Sequence, residues 1–192
     1  MKIAFVANSH GPGPLLETAL LMLVERHDVD RIVPVGSAMR DVDAVIVGRQ
    51  RRFPDEVQWT DPTYPDYVLA AVLEGVVETP AAEVERTQML SAVVRPMDGK
   101  ESIEIEGRAL SVVQPGQPAP DSPIVVSDYP GRHGVEWRDD RVHICPGQLK
   151  EVVWDEEPAS CALVAMAEGQ LYVGFLDLYG DLLEEATAID PR

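Results

Sequence analysis

Hydrophobic positions fall into two regimes along the 192-residue chain: unbroken short blocks near the start, and alternation with polar residues from Ser91 onward. The block at residues 3–7, "IAFVA", has no polar break, as expected of a strand buried on both faces of a sheet. Residues 8–13 supply turn chemistry. From Pro14, suited to a helix's first turn, Leu15, Leu16, Ala19, Leu20, Leu23 and Val24 recur at helical spacing as far as His27. Two further blocks, "RIVPVGS" at 31–37 and "AVIVG" at 44–48, each with Gly at or near its end, predict second and third strands. Short connections of this kind favour parallel pairing, and ligands of parallel sheets gather at the carboxyl ends of the strands. Asn8, Ser37 and Arg49 are expected there.

Residues 51–67 hold "RRFPDEVQWTDPTYPDY", a connection carrying Pro and aromatic residues, followed by the helical patterns "VLAAVLEGVVE" and "AAEVERTQML". Together they predict a helical insertion or cap at about 51–90 in a domain that otherwise runs 1–192. Trp59, Tyr64 and Tyr67 within it fit a core better than a recognition patch. Beyond it come "SAVVRP", "SIEIEG", "ALSVVQPG", "PIVVSD", "VEWRDDRVHICPG", "EVVWDEE", "SCALVAMAEG" and "QLYVGFLDL". These strands are joined in part by tight polar turns such as Arg138-Asp139-Asp140 and Glu168-Gly169, which predict hairpins. The Pro- and Gly-dense residues 114–122 predict a loop, and the tail "DLLEEATAIDPR" at most a frayed helix.

A formal net charge of -17, with Lys at positions 2, 100 and 150 only, opposes binding to nucleic-acid phosphates or anionic membranes, both of which rest on clustered cations. The charge is accounted for by solubility, and it is also compatible with a salty cytoplasm. Cys145 and Cys161 have neither the number nor the spacing of a disulfide framework or zinc site and are expected as buried strand thiols. The apolar run before Asn8 is too short for a signal-peptide core, and no stretch approaches a membrane span; a cytoplasmic protein without membrane insertion is expected.

A parallel βαβ front half followed by a hairpin-rich back half suits an α/β fold, a two-sheet β-sandwich flanked by helices. Within it "ANSHG", "VGS" and "CPGQ" occupy recurrent strand ends. In these features the chain resembles the calcineurin-like metallophosphoesterases, specifically their small single-domain phosphodiesterase branch. The resemblance implies five motif blocks holding two metal ions that activate water and clamp phosphate oxygens. Asn8-Ser9-His10 takes the place of Asp-x-His. Gly36-Ser37 takes the place of Gly-Asp, and Gly48-Arg49-Gln50-Arg51 that of Gly-Asn-x-Asp. Gln114 falls where a His-Gly is expected, His133 matches the last His of a Gly-His-x-His, and Cys145-Pro146-Gly147-Gln148 stands for Asn-Pro-Gly-Ser.

With amide and hydroxyl at two carboxylate positions the negative charge that offsets two dications is missing. A guanidinium near such an ion adds repulsion of about twice the roughly 4 kcal/mol of a unit pair at 4 Å. The resemblance thus implies a catalytically degenerate metallophosphoesterase-fold protein acting as a binding or scaffold module for other proteins, with no cofactor. Asn8, Ser9, His10, Ser37, Arg49, Gln114 and His133 would line a metal-free anion pocket. Two alternatives stand beside it: an active metal-dependent phosphodiesterase or phosphatase with weakly bound Mn or Zn, and a sensor of a phosphorylated small molecule. Ser9 and His10 are adjacent on a tight turn, a poor geometry for a nucleophile and its base. His27 is expected to act at its helix end, and His143 to leave the core by alternation.

Overall fold

The computed structural model describes residues 1–53, 80–97, 101–113, 121–128, 131–149 and 158–190. Chain order is β1 (Lys2–Ala7), α1 (Pro14–His27), β2 (Arg31–Val35), α2 (Ala38–Arg52), α3 (Pro80–Val93), β3 (Ser102–Ile105), β4 (Arg108–Val112), β5 (Ile124–Val126), β6 (Gly134–Arg138), β7 (Arg141–Cys145), β8 (Cys161–Ala167), β9 (Gln170–Leu176) and β10 (Leu182–Ile189).

Two five-stranded sheets result, ordered β10-β9-β8-β1-β2 and β3-β4-β5-β7-β6. β1 runs parallel to β2, in register from Ile3 with Arg31 to Ala7 with Val35, and antiparallel to β8 on its other side. In the second sheet β5 is parallel to both neighbours, while β3–β4 and β6–β7 are hairpins. Alternate side chains of β1, including Ile3, Phe5 and Ala7, pack against Ile105, Leu110, Ile124 and Ile144 of the second sheet. Ala4 and Val6 on the opposite face meet Leu16, Leu20 and Leu23 of α1, Val42 and Val45 of α2, and Leu90 of α3. β1 is thus buried on both sides, which accounts for its unbroken apolar run. This is the α/β two-sheet sandwich flanked by helices that the sequence predicted.

Three sequence expectations are corrected. The block at 44–48 is not a strand but the middle of α2: Ala38, Val42, Val45 and Arg49 are buried at helical spacing, while Ala44 and Val47 are exposed. Residues 91–96 are not a strand start. α3 continues to Val93, and Val94 forms one parallel bridge beside Ile32, reinforced by Arg95 N donating to Ile32 O at 3.0 Å. The tail is a strand, β10, because the turn at residues 177–181 folds it onto β9 and cross-strand pairing overrides the helix preference of "LLEEA". Trp59, Tyr64, Tyr67, Gln114, the segment "EVVWDEE" and the first helical pattern of the insertion lie outside the described residues. Cys145 and Cys161 are buried strand thiols, and burial, with Asp177 adding, pushes Cys161 up to about 12. No described helix is long and apolar enough to cross a membrane.

Candidate functional site

The carboxyl ends of β1, β2, β5 and β7 deliver Asn8, Gly36, Asp128 and the loop 146–149 to one rim of the sandwich. Asn8 adopts a left-handed backbone, φ 47°, which Asn tolerates better than most residues. Its Nδ2 donates to Asp128 O at 2.9 Å and to Gly147 O at 3.4 Å, and its own carbonyl accepts from Leu149 N at 3.2 Å. One side chain therefore ties the tip of the first sheet to two strand ends of the second. Because both partners are carbonyl oxygens, they fix which end of the amide is the nitrogen, and a carboxylate there would face only acceptors.

Close backbone approach completes the rim. Gly36 has φ 60°, and a Cβ there would lie 2.1 Å from Asp128 Oδ2, so the Asp128 carboxylate occupies the space a side chain would need. At Gly147, φ 92°, a Cβ would lie 1.9 Å from Ser160 Oγ. The Gly-Ser and Cys-Pro-Gly-Gln motifs thus keep their glycines for steric reasons. Ser37 is exposed at the start of α2, and its side chain makes no capping bond.

Ser9 turns the other way. It is 6% exposed, and its Oγ donates to Asp41 Oδ2 at 2.7 Å, while Gly11 N donates to the same oxygen at 2.9 Å. Asp41, buried in α2, braces the β1–α1 loop, a role the sequence reading missed because it placed residue 41 between two strands. With α2 in place, a carboxylate on the stripe of residues 38, 42, 45 and 49 is the signal that finds it. His10, exposed with φ 51°, lines with Ser9 and residues 11–16 an open depression of about 430 Å³.

The other predicted site residues go elsewhere. Arg49 sits in α2 rather than at a strand end, and it is 2% exposed. It donates to Glu17 Oε1 at 2.6 Å and Glu83 Oε2 at 2.5 Å, with Thr87 Oγ1 at 3.2 Å. Its charge is used in joining α1, α2 and α3, so the expected anion pocket loses this cation. His133 lies beside Gly147, but its ring packs on Phe175, centroids 5.0 Å apart, and its Nε2 is 3.6 Å from Glu184 Oε1. Ser160 Oγ donates to Pro146 O at 3.1 Å and receives His133 Nδ1 at 3.3 Å; at 1% exposure it presents no nucleophile. His27 Nε2 reaches Gly180 O at 3.0 Å and so clamps the β9–β10 turn to α1.

Among the described residues no three His, Cys, Asp or Glu side chains converge as a metal shell. The described donor set at the rim is likewise unsuited to paired metal ions, with an amide N–H aimed at carbonyls where the resemblance calls for the acid of Asp-x-His, and a glycine backbone pressed against the Asp128 carboxylate. The described residues do not by themselves fit the two-metal centre.

No protein-family model matches the chain, and no curated sequence is significantly similar to it. Solved structures are similar. A conserved uncharacterized protein of Streptococcus pneumoniae, described as a predicted phosphoesterase, is 10% identical over 98% of this chain and 96% of its own, with a TM-score of 0.53. A hypothetical protein of Pyrococcus horikoshii is 17% identical over 94% and 88%, TM-score 0.52. Vps29 of Entamoeba histolytica in complex with zinc is 12% identical over the whole of both chains, TM-score 0.50. The chain has the fold of these structures.

Proposed function

We propose that this chain is a non-hydrolytic binding module built on the metallophosphoesterase fold, with other proteins as its partners. The observation that carries the reading is the Asn8 amide, which donates to Asp128 O and Gly147 O and so turns the first metal-ligand position into a structural tie between the sheets. Burial of Ser9 against Asp41 and of Arg49 between Glu17 and Glu83 supports it further, because both polar groups are consumed internally. With Arg49 engaged, a sensor of phosphorylated small molecules has lost the guanidinium it was expected to use.

The competing reading, a divergent metal-dependent phosphodiesterase, draws on the Asp128 carboxylate at the rim and on the zinc complex of a Vps29 neighbour. One experiment separates them. Purified protein loaded with Mn or Zn is assayed on bis-p-nitrophenyl phosphate beside His10→Ala, with bound metal measured by mass spectrometry. Equal background rates for both proteins and substoichiometric metal are expected. Metal-dependent turnover lost in His10→Ala would overturn the binding-module reading.

A further inference from the structure

Among the described residues each sheet has two edge strands, and three of the four are defended against pairing with another chain. β2 contains Pro34 and is flanked by the Ile32–Val94 bridge and the Arg95 N bond to Ile32 O. β10 meets β9 with register shifts between Leu182 and Glu184 and between Glu184 and Thr187, which break the regular edge. β3 carries Glu104 and is flanked by Glu101 and Glu106, so two copies repel each other. β6 has no proline and no register shift, and its two charges, Glu136 and Arg138, are of opposite sign. It holds an unbroken register with β7 from Gly134 with Cys145 to Arg138 with Arg141, and among the described residues its outer edge pairs with nothing.

The direction of the free backbone groups follows from the neighbours. Val142 N donates to Pro123 O and Ile144 O accepts from Ser127 N, so these β7 residues face β5. The alternation of an antiparallel ladder then turns Arg141, His143 and Cys145 toward β6, where they engage Arg138, Glu136 and Gly134. The backbone N–H and C=O of Val135 and Trp137 are left pointing outward. Trp137 is also 52% exposed, while Glu136 and Arg138, exposed on the opposite face, are joined at 2.8 Å.

We propose that β6 is a homodimerisation edge, pairing antiparallel with β6 of a second copy about a two-fold axis at Trp137. In that register each Trp137 exchanges its outward N–H and C=O with Trp137 of the second copy, and the two indoles become cross-strand neighbours. Glu136 falls opposite Arg138 of the second copy, and Arg138 opposite its Glu136. Shifting the axis to Glu136 would put two acids face to face, and shifting it to Val135 would bring Arg138 against Arg132 of the second copy. Of the registers centred on Val135, Glu136 and Trp137, the last alone is self-complementary. Few backbone bonds are made, so the dimer is weak and concentration-dependent.

Sedimentation equilibrium on the full chain, up to roughly millimolar concentration, tests this against Glu136→Arg, Arg138→Glu and the double swap. These exposed positions leave the fold intact, as circular dichroism will verify. Wild type is expected to dimerise reversibly. Each single variant places two like-charge pairs across the axis and weakens the dimer about tenfold or more, and the double swap restores it. A monomeric wild type at every concentration, or a dimer indifferent to the single variants, would overturn the proposal. Neither result bears on hydrolysis, so this inference and the binding-module reading fail separately.

Discussion

Asparagine and aspartate differ by one group, NH2 for O−, and at position 8 that difference separates a donor from an acceptor. Surrounded by Asp128 O and Gly147 O, the amide makes two hydrogen bonds that a carboxylate cannot make. Asn8→Asp, the substitution that brings back the metal-binding acid implied by the resemblance, is therefore expected to lower stability by about 2–3 kcal/mol in urea denaturation rather than create activity. A variant as stable as wild type that gained stoichiometric Mn would show that the rim lacks only this acid. Which residues stand at the rim was legible where a strand ended in an obvious turn, as at Asn8, Ser37 and the Cys-Pro-Gly-Gln loop. Where their side chains point was not: Ser9 faces inward to Asp41 and His133 turns onto Phe175, choices set by contacts distant in sequence.

At the scale of elements, the three described helices are held by a charge network around Arg49, which bonds Glu17 of α1 and Glu83 of α3, with Arg52 on Glu17 and Arg86 on Glu83 and Glu25. Removing the buried cation leaves two part-buried carboxylates without it, so Arg49→Ala should cost about 3–5 kcal/mol, and Arg49→Met combined with Glu17→Gln and Glu83→Gln should recover a large part. Thermal unfolding of the two variants checks this. The network also has a pH signature. Burial works to raise the Glu83 carboxyl, but bonds to Arg49 and Arg86 and the charges of both outweigh it and hold the carboxyl below its ordinary value. A depressed carboxyl stabilises the fold above the unfolded pKa of about 4.3, and that contribution is lost as pH falls through the lower folded value. The gap in thermal midpoint between wild type and Glu83→Gln should thus be full at pH 7 and close on acidification below about pH 4. The sequence hid this network through one misreading: five apolar letters at 44–48 suggested a strand, although the buried stripe of 38, 42, 45 and 49 spans three helical turns. β1, α1, β2 and the hairpins were legible because burial on both faces, helical spacing and tight turns leave local marks. β10 was not, because only its partner β9 makes "LLEEA" a strand.

For the whole molecule the dominant long-range quantity is the formal charge of -17. Such an excess opposes compaction through self-repulsion, and because most of these charges lie at the surface, salt screens them over a Debye length of about 10 Å at 0.1 M. The Arg49 network responds differently, since its guanidinium is 2% exposed and ions do not reach it. The two contributions are separable in one measurement. Raising NaCl from about 0.02 to 0.5 M should raise the thermal midpoint of wild type; a gain of about 1 kcal/mol corresponds to roughly 2–4 °C for a chain of this size. Arg49→Ala should rise by a similar amount and remain displaced below wild type at both salt concentrations. A wild-type midpoint that falls with salt would mean that exposed pairs such as Arg52–Glu17 and Arg138–Glu136 outweigh the repulsion, and the acidic surface would then be a source of stability instead of a load on it.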